Sequence, residues 1–156
     1  MADHAVQREE LEIDAPAATC LAVAIDFERY PEWAPDLKHA EVVSRDAQGR
    51  PESVAFRVAA LGHSTSYTLR YNWSGLPNRI SWVLTEGDVT TKLDGSYEFV
   101  PVEDDPSRTL VRYVLEVELV IPLPNIVKRR AELKIMHTAL RDLKARVEVV
   151  ASAADA

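Results

Sequence analysis

The chain has 156 residues and a net charge of −7, from 18 basic and 25 acidic side chains. That length suffices to bury the core of one domain, and the acidic balance argues against general nucleic-acid binding, which needs clustered cations to neutralise phosphates. The one cysteine, Cys20, rules out an intrachain disulfide, and no run reaches the ~18 apolar residues of a membrane-crossing helix.

Met1-Ala2-Asp3-His4 lacks the basic region and apolar run of a signal peptide. A cytoplasmic protein is therefore expected, as a single domain over 1–156 with an ordered core of about 6–148. A first strand is predicted over 6–13. Asp14 then offers an N-cap, and Pro16 suits the opening turn of a short apolar helix over 16–26. Cys20 falls within it as a small buried residue. Pro31 and Pro35 stop that helix, so 27–33 reads as one further turn presenting Phe27, Tyr30 and Trp33.

Six more strands are predicted, over 37–45, 52–61, 64–73, 79–86, 91–100 and 108–120. Turn sequences such as Asp46-Ala47-Gln48-Gly49, Gly62-His63 and Glu86-Gly87-Asp88 separate them. Short separators between alternating runs mean hairpins, hence an antiparallel sheet. The alternation assigns the faces. Val54, Phe56 and Val58 share a covered side with Tyr67, Leu69, Tyr71 and Trp73. Ile80, Trp82 and Leu84 join them, as do Leu93, Gly95, Tyr97 and Phe99, then Val111, Tyr113, Leu115 and Val117. Gly95 lies mid-strand, where a bulge or sharp bend is expected.

The last element is a long helix over about 124–148, opened by Ile121-Pro122-Leu123-Pro124. Leu133, Met136, Leu140, Leu143 and Val147 make one apolar stripe along it, and the tail from Ala151 is expected to fray. One stripe cannot flatly cover seven strands. Either the sheet wraps the helix or a gap remains between them.

No glycine-rich phosphate loop, paired-cysteine motif, HExxH or G-x-S-x-G is present. His4, His39, His63 and His137 show no metal-ligand spacing, so neither metal nor cofactor is expected. Arg129 falls on the stripe by spacing. It either meets a ligand anion from there or is solvated where the helix overhangs the sheet. Lys128, Arg129, Arg130 and Lys134 cluster where the helix dipole disfavours cations. His137, at the stripe's edge, is either an acid–base group or a half-exposed histidine. Tyr67, Tyr71, Tyr97 and Tyr113, with Trp82, are aromatics with polar tips; Tyr67, Trp82 and Tyr113 suit a core or a pocket wall equally, whereas Tyr97 and Phe99 read as core.

Ile13-Asp14-Ala15-Pro16, Tyr30-Pro31-Glu32-Trp33, Ser81-Trp82-Val83-Leu84 and Val120-Ile121-Pro122-Leu123-Pro124, followed by Lys128-Arg129-Arg130-Ala131-Glu132 and Ala139-Leu140-Arg141-Asp142-Leu143-Lys144, carry a resemblance. Across about 8–148 the chain resembles the START-like, or Bet v 1-like (helix-grip), superfamily. Within it the chain looks like the bacterial polyketide cyclase/dehydrase and lipid-transport (SRPBCC) group. The resemblance implies an α+β fold: a curved seven-stranded antiparallel sheet wrapped around a long C-terminal helix, with two short helices between strands 1 and 2. It implies a cavity between sheet and helix, with Tyr30-Pro31-Glu32-Trp33 shaping its mouth.

The expected function is binding or transport of a small hydrophobic molecule, such as a lipid, quinone or polyketide-like compound. The alternative is an aromatase/cyclase using the same cavity. The candidate ligand-binding residues are Trp33, Phe56, Tyr67, Leu69, Trp82, Leu93, Tyr113, Arg129, Leu133, Met136 and His137. Cargo would enter by movement of the 121–127 loop and the 86–90 hairpin, with transient membrane contact as one option. A protein partner docking on the basic 128–134 patch is another.

Overall fold

The computed structural model describes residues 6–60, 63–120 and 122–154. The expected turn at Gly62, the loop residue Ile121 and the segment Met1–His4 lie outside the described residues. Seven strands run β1 Val6–Ile13, β2 Leu37–Arg45, β3 Pro51–Ala60, β4 His63–Asn72, β5 Arg79–Gly87, β6 Thr90–Val102 and β7 Asp105–Leu119. Between β1 and β2 come α1, Ala17–Ala24, and a 3-10 helix, Phe27–Glu32. The chain ends in α2, Asn125–Ala154.

The strands form one antiparallel sheet in the order β1-β7-β6-β5-β4-β3-β2. From β2 to β7 each strand pairs with its successor, as the short turns require. The return of β1 to β7, from Val6↔Glu116 to Ile13↔Thr109, completes the sheet. The Asp46–Arg50 turn shows the local chemistry. Asp46 Oδ1 accepts the Gln48 and Arg50 amides, each at 2.9 Å, and Gly49 supplies the left-handed backbone at φ 81°.

Two local expectations are corrected. Asp14 does not cap α1: the cap position is Pro16, whose carbonyl accepts the Thr19 and Cys20 amides. The Asp14 amide instead donates to Glu148 Oε2 of α2 at 2.9 Å. Of the bulge or sharp bend expected at Gly95, the bulge is absent: the register runs without a shift through Gly95↔Leu115 on the β7 side, and on the β5 side it ends at Trp82↔Gly95. Gly95 is a close-approach glycine. A Cβ there would lie 2.5 Å from Val114 O and 2.9 Å from Trp82 Cζ2, so the Trp82 ring occupies the space a side chain would need.

The faces follow the period-2 pattern. Val54, Phe56, Leu69, Tyr71, Trp73, Ile80, Trp82, Leu93, Tyr97, Phe99, Val111, Tyr113, Leu115 and Val117 are all buried. They meet Met136, Leu140, Leu143 and Val147 of α2, together with Cys20, Val23 and Ala24 of α1. α2 packs on α1, β1 and β7, at one side of the sheet. It runs to Ala154 without the fraying expected from Ala151, and Val150 and Ala151 pack against the core.

Candidate functional site

Away from the α2 anchor the covered face of the sheet carries a run of aromatic side chains. Phe27 sits at the start of the 3-10 helix, fully buried, with its ring 4.3 Å from that of Tyr71 and 6.4 Å from that of Phe56. Tyr30 donates its hydroxyl to Ala24 O, closing the end of α1, and stands 4.8 Å from the half-buried Trp33. From there rings continue across the sheet. Phe56 to Tyr67 is 5.5 Å, Tyr71 to Trp82 is 5.8 Å and Trp82 to Tyr113 is 6.1 Å. Tyr97 stacks on Tyr113 at 4.5 Å and 22°. These spacings suit aromatic pairs that add to the burial of their surfaces.

The inward positions of β3 to β7, from Val54 through Val117, carry no charged side chain among the described residues. Their polar atoms are phenol and indole groups. Burial raises the pKa of Tyr30, Tyr67, Tyr71, Tyr97 and Tyr113 above the ordinary tyrosine value. At neutral pH these hydroxyls are un-ionised. They can donate or accept hydrogen bonds but cannot serve as phenolate bases. Charges on the same strands point outward, where Lys92 pairs with Asp94 at 3.3 Å and with Glu116 at 3.1 Å.

The structure therefore assembles Trp33, Phe56, Tyr67, Leu69, Trp82, Leu93, Tyr113 and Met136 on one connected inner surface. It does not bring Arg129, Leu133 and His137 into that surface. Arg129 is exposed and Leu133 is 48% exposed. The physical reason is a drift of the covered stripe. In the first half of α2 the sheltered positions are Ala131 and Ile135. The helix is anchored through its second half, so its beginning does not follow the 3.6-residue line of Met136, Leu140 and Leu143. His137 is exposed and its Nδ1 lies 2.8 Å from Glu9 Oε1, a contact that fastens α2 to β1.

Sequence reasoning left out Leu84 and Asp142. Leu84 stands opposite Leu69 on the inner face and is half-buried. The alternation that selected Leu69 selected Leu84 equally. Asp142 is half-buried on α2. Burial pushes its carboxyl up, and its charge is felt at Tyr97. No sequence spacing marks it, because its neighbours come from β6 and from Asp36.

The hairpin joining β5 to β6 is fastened on two sides. Thr65 Oγ1 donates to Asp88 Oδ1, the Ser66 amide to Asp88 Oδ2 at 3.0 Å, and the Val120 amide to Val89 O at 2.7 Å. Beyond Trp82↔Gly95 the β5–β6 register stops, and the Leu84 amide donates to Asp94 Oδ1 at 2.9 Å. An open concavity of about 480 Å³ lies over β3 and β4, lined by His39, Arg57, Ser66, Thr68 and Glu86 together with Phe56 and Tyr67 of the aromatic set. No three histidine, cysteine, aspartate or glutamate side chains converge as a metal site among the described residues.

The sequence profile of the family described as polyketide cyclase / dehydrase and lipid transport matches residues 13–144. The chain belongs to this family. Among solved structures, a START superfamily protein from Mycobacterium smegmatis is 27% identical with a TM-score of 0.86, over 94% of this chain and 99% of that one. The Zhui aromatase/cyclase of Streptomyces sp. R1128 shares the fold at 14% identity and a TM-score of 0.74, over 93% and 94% of the two chains. A STAR-related lipid transfer protein from Xanthomonas axonopodis does so at 15% and 0.69, over 91% and 85%. No curated protein sequence matches the chain. Solved structures named for polyketide aromatase/cyclase and for lipid transfer thus share this chain's START-like architecture, an antiparallel seven-stranded sheet with a long C-terminal helix.

Proposed function

We propose that this protein binds and carries a small hydrophobic molecule between the concave face of the sheet and α2. The observation that supports the reading is the inner surface of β3 to β7. It is apolar and aromatic, uncharged among the described residues, and supplied with neutral hydroxyl and indole groups that orient a ligand without ionising. Affinity would come from apolar area at roughly 25 cal/mol per Å², less the cost of ordering the ligand. Phe56, Tyr67, Leu69, Trp82, Leu93, Tyr113 and Met136 are the proposed contacts, with Trp33 at the mouth. A ligand bearing carbonyl or hydroxyl groups fits such a lining. A bare carboxylate or phosphate finds no cation on it. The protein works in this reading as one cytoplasmic domain without metal or cofactor.

The test is native mass spectrometry of the purified protein with organic extraction, followed by titration with an apolar fluorescent probe. Leu84→Trp fills space at a half-buried inner position and is expected to lower probe affinity by at least about tenfold while the fold persists. Unchanged affinity in a folded Leu84→Trp protein would overturn the proposed pocket.

Asp142 favours a second reading, an aromatase/cyclase. A half-buried carboxyl with a raised pKa, whose charge is felt at Tyr97, could take part in proton transfer on a bound poly-β-keto chain. Holding such a chain folded can itself supply several kcal/mol toward cyclisation. Asp142→Asn would then reduce turnover and leave affinity nearly unchanged, whereas a carrier shows no turnover to lose.

A further inference from the structure

The start of α2 and the loop before it combine two features that local stability does not explain. The first is exposed aliphatic surface. Ile126 is 67% exposed, Val120 60%, Leu133 48% and Leu123 43%, with Val127 also exposed. The second is charge. Lys128, Arg129, Arg130 and Lys134 stand against one carboxylate, Glu132, in a chain whose overall charge is −7. None of the four cations makes an ion pair among the described residues. In the second half of the same helix, Lys144 is paired with Glu148 and Arg146 with Glu32. Cations near a helix N-terminus oppose the helix dipole, and the first turn of α2 holds no acid to offset them.

The spacing gives the two features one face. Ile126, Arg129, Arg130 and Leu133 stand at i, i+3, i+4 and i+7, so two aliphatic side chains flank two guanidinium groups. Long cationic stems can lie along apolar material while their heads reach anionic oxygens.

We infer that Val120 and the 122–134 segment form a docking surface for an anionic lipid bilayer. Leu123, Ile126 and Leu133 enter the headgroup boundary, and Arg129, Arg130 and Lys134 meet lipid phosphates. Aliphatics spread over a loop and two helical turns require no shaped partner, which suits a fluid interface. The acidic remainder of the chain is repelled by such a surface, so the basic segment alone can face it. This surface goes beyond the carrier reading and does not depend on what the cavity holds, because it is read with the ligand-free chain.

The experiment is co-sedimentation of the full chain with vesicles of phosphatidylcholine alone and of equal parts phosphatidylcholine and phosphatidylglycerol, at low and high salt. Binding to the mixed vesicles only, weakened by salt, is expected. Each cation near an anionic membrane contributes about fivefold. Arg130→Glu with Lys134→Glu should therefore weaken binding by at least about twenty-five-fold. Ile126→Asp keeps every cation and should cost about tenfold through lost insertion. Arg70→Glu, exposed on the outer face of β4, should change nothing. All three variants alter exposed positions, and unchanged melting checks that each is folded. The inference is overturned by failure to sediment with the mixed vesicles, by indifference to the double reversal or to Ile126→Asp, or by an equal loss in Arg70→Glu. Retention on an acidic protein without vesicle binding would overturn it in favour of a protein partner.

Discussion

The two halves of α2 obey different rules. From Met136 to Val147 the stripe is sealed, with Met136, Leu140, Leu143 and Val147 at most 2% exposed. That half is also tied down at its flanks. His137 meets Glu9, Lys144 Nζ donates to Glu12 O at 2.9 Å, Glu148 accepts the Asp14 amide, and Arg146 NH2 reaches Glu32 at 3.0 Å. From Asn125 to Lys134 aliphatic side chains stand in water and the cations make no ion pair among the described residues. A helix that served only to close a core would be covered along its length. This one is a lock at one end and a working surface at the other.

The largest effect that would break or confirm the division is a pair of truncations. Leu140→Ala empties a sealed site and should cost about 2–5 kcal/mol of unfolding free energy. Leu133→Ala, the same chemistry two turns earlier, should stay within about 0.5 kcal/mol. Denaturant unfolding of both variants measures the difference, and equal losses would mean that the first half of α2 is as firmly packed as the second.

A second comparison sets the β5–β6 seam beside the β6–β7 seam. The register of β6 on β7 runs from Thr90↔Leu119 to Val102↔Asp105, while that of β6 on β5 ends at Trp82↔Gly95. At that end point the Trp82 ring lies over Gly95. Gly95→Ala places a methyl group against Val114 O and the indole, and should cost about 1–3 kcal/mol by overpacking. A shift in tryptophan emission should accompany the loss. A melting temperature at or above that of the unaltered protein would show that the sheet yields there without cost.

These two sites also show what the sequence could and could not disclose. Alternation along 52–61, 64–73 and 108–120 assigned the covered face correctly, because a sheet with one buried side leaves a period-2 record in each strand. Gly95 reads from the sequence as a bulge or a sharp bend, and the close approach of Trp82 shows only once the partner strand is in place. Extending the line of Met136 and Leu140 places Leu133 inward, and leaves Arg129 either inward or solvated where the helix overhangs; the structure shows both exposed. The extension assumes that the surface facing the helix is continuous, and α2 packs chiefly on α1, β1 and β7. The partner of His137 lies 128 residues away on β1, a distance that no local pattern spans. Asp142 was invisible for the same reason.

The His137–Glu9 pair tests the lock more gently. Both side chains are substantially solvent-exposed, so the pair is screened and His137→Gln should cost less than about 1 kcal/mol. Affinity for an apolar probe should be unchanged, since the ring faces β1 and not the aromatic lining. A marked loss of binding would return His137 to the site.

The smallest expected effect concerns Glu148, in the same lock. The Lys144 ammonium, the Asp14 amide and the nearby charge of Arg108 hold its carboxyl below the ordinary glutamate value of 4.5. A carboxyl with a lower pKa when folded takes up its proton more readily in the unfolded chain. Its contribution to stability is therefore complete above pH 4.5 and fades as the pH falls through the lowered folded value. Glu148→Gln keeps an acceptor for the Asp14 amide but removes the titration. The variant should lose stability less steeply than the unaltered protein as the medium is acidified below pH 4.5, and the two curves should run parallel at neutral pH. Parallel acid limbs would mean that Lys144 and Asp14 do not distinguish the folded carboxylate from the unfolded one. The lock would then rest on Leu140, Leu143 and Val147 alone.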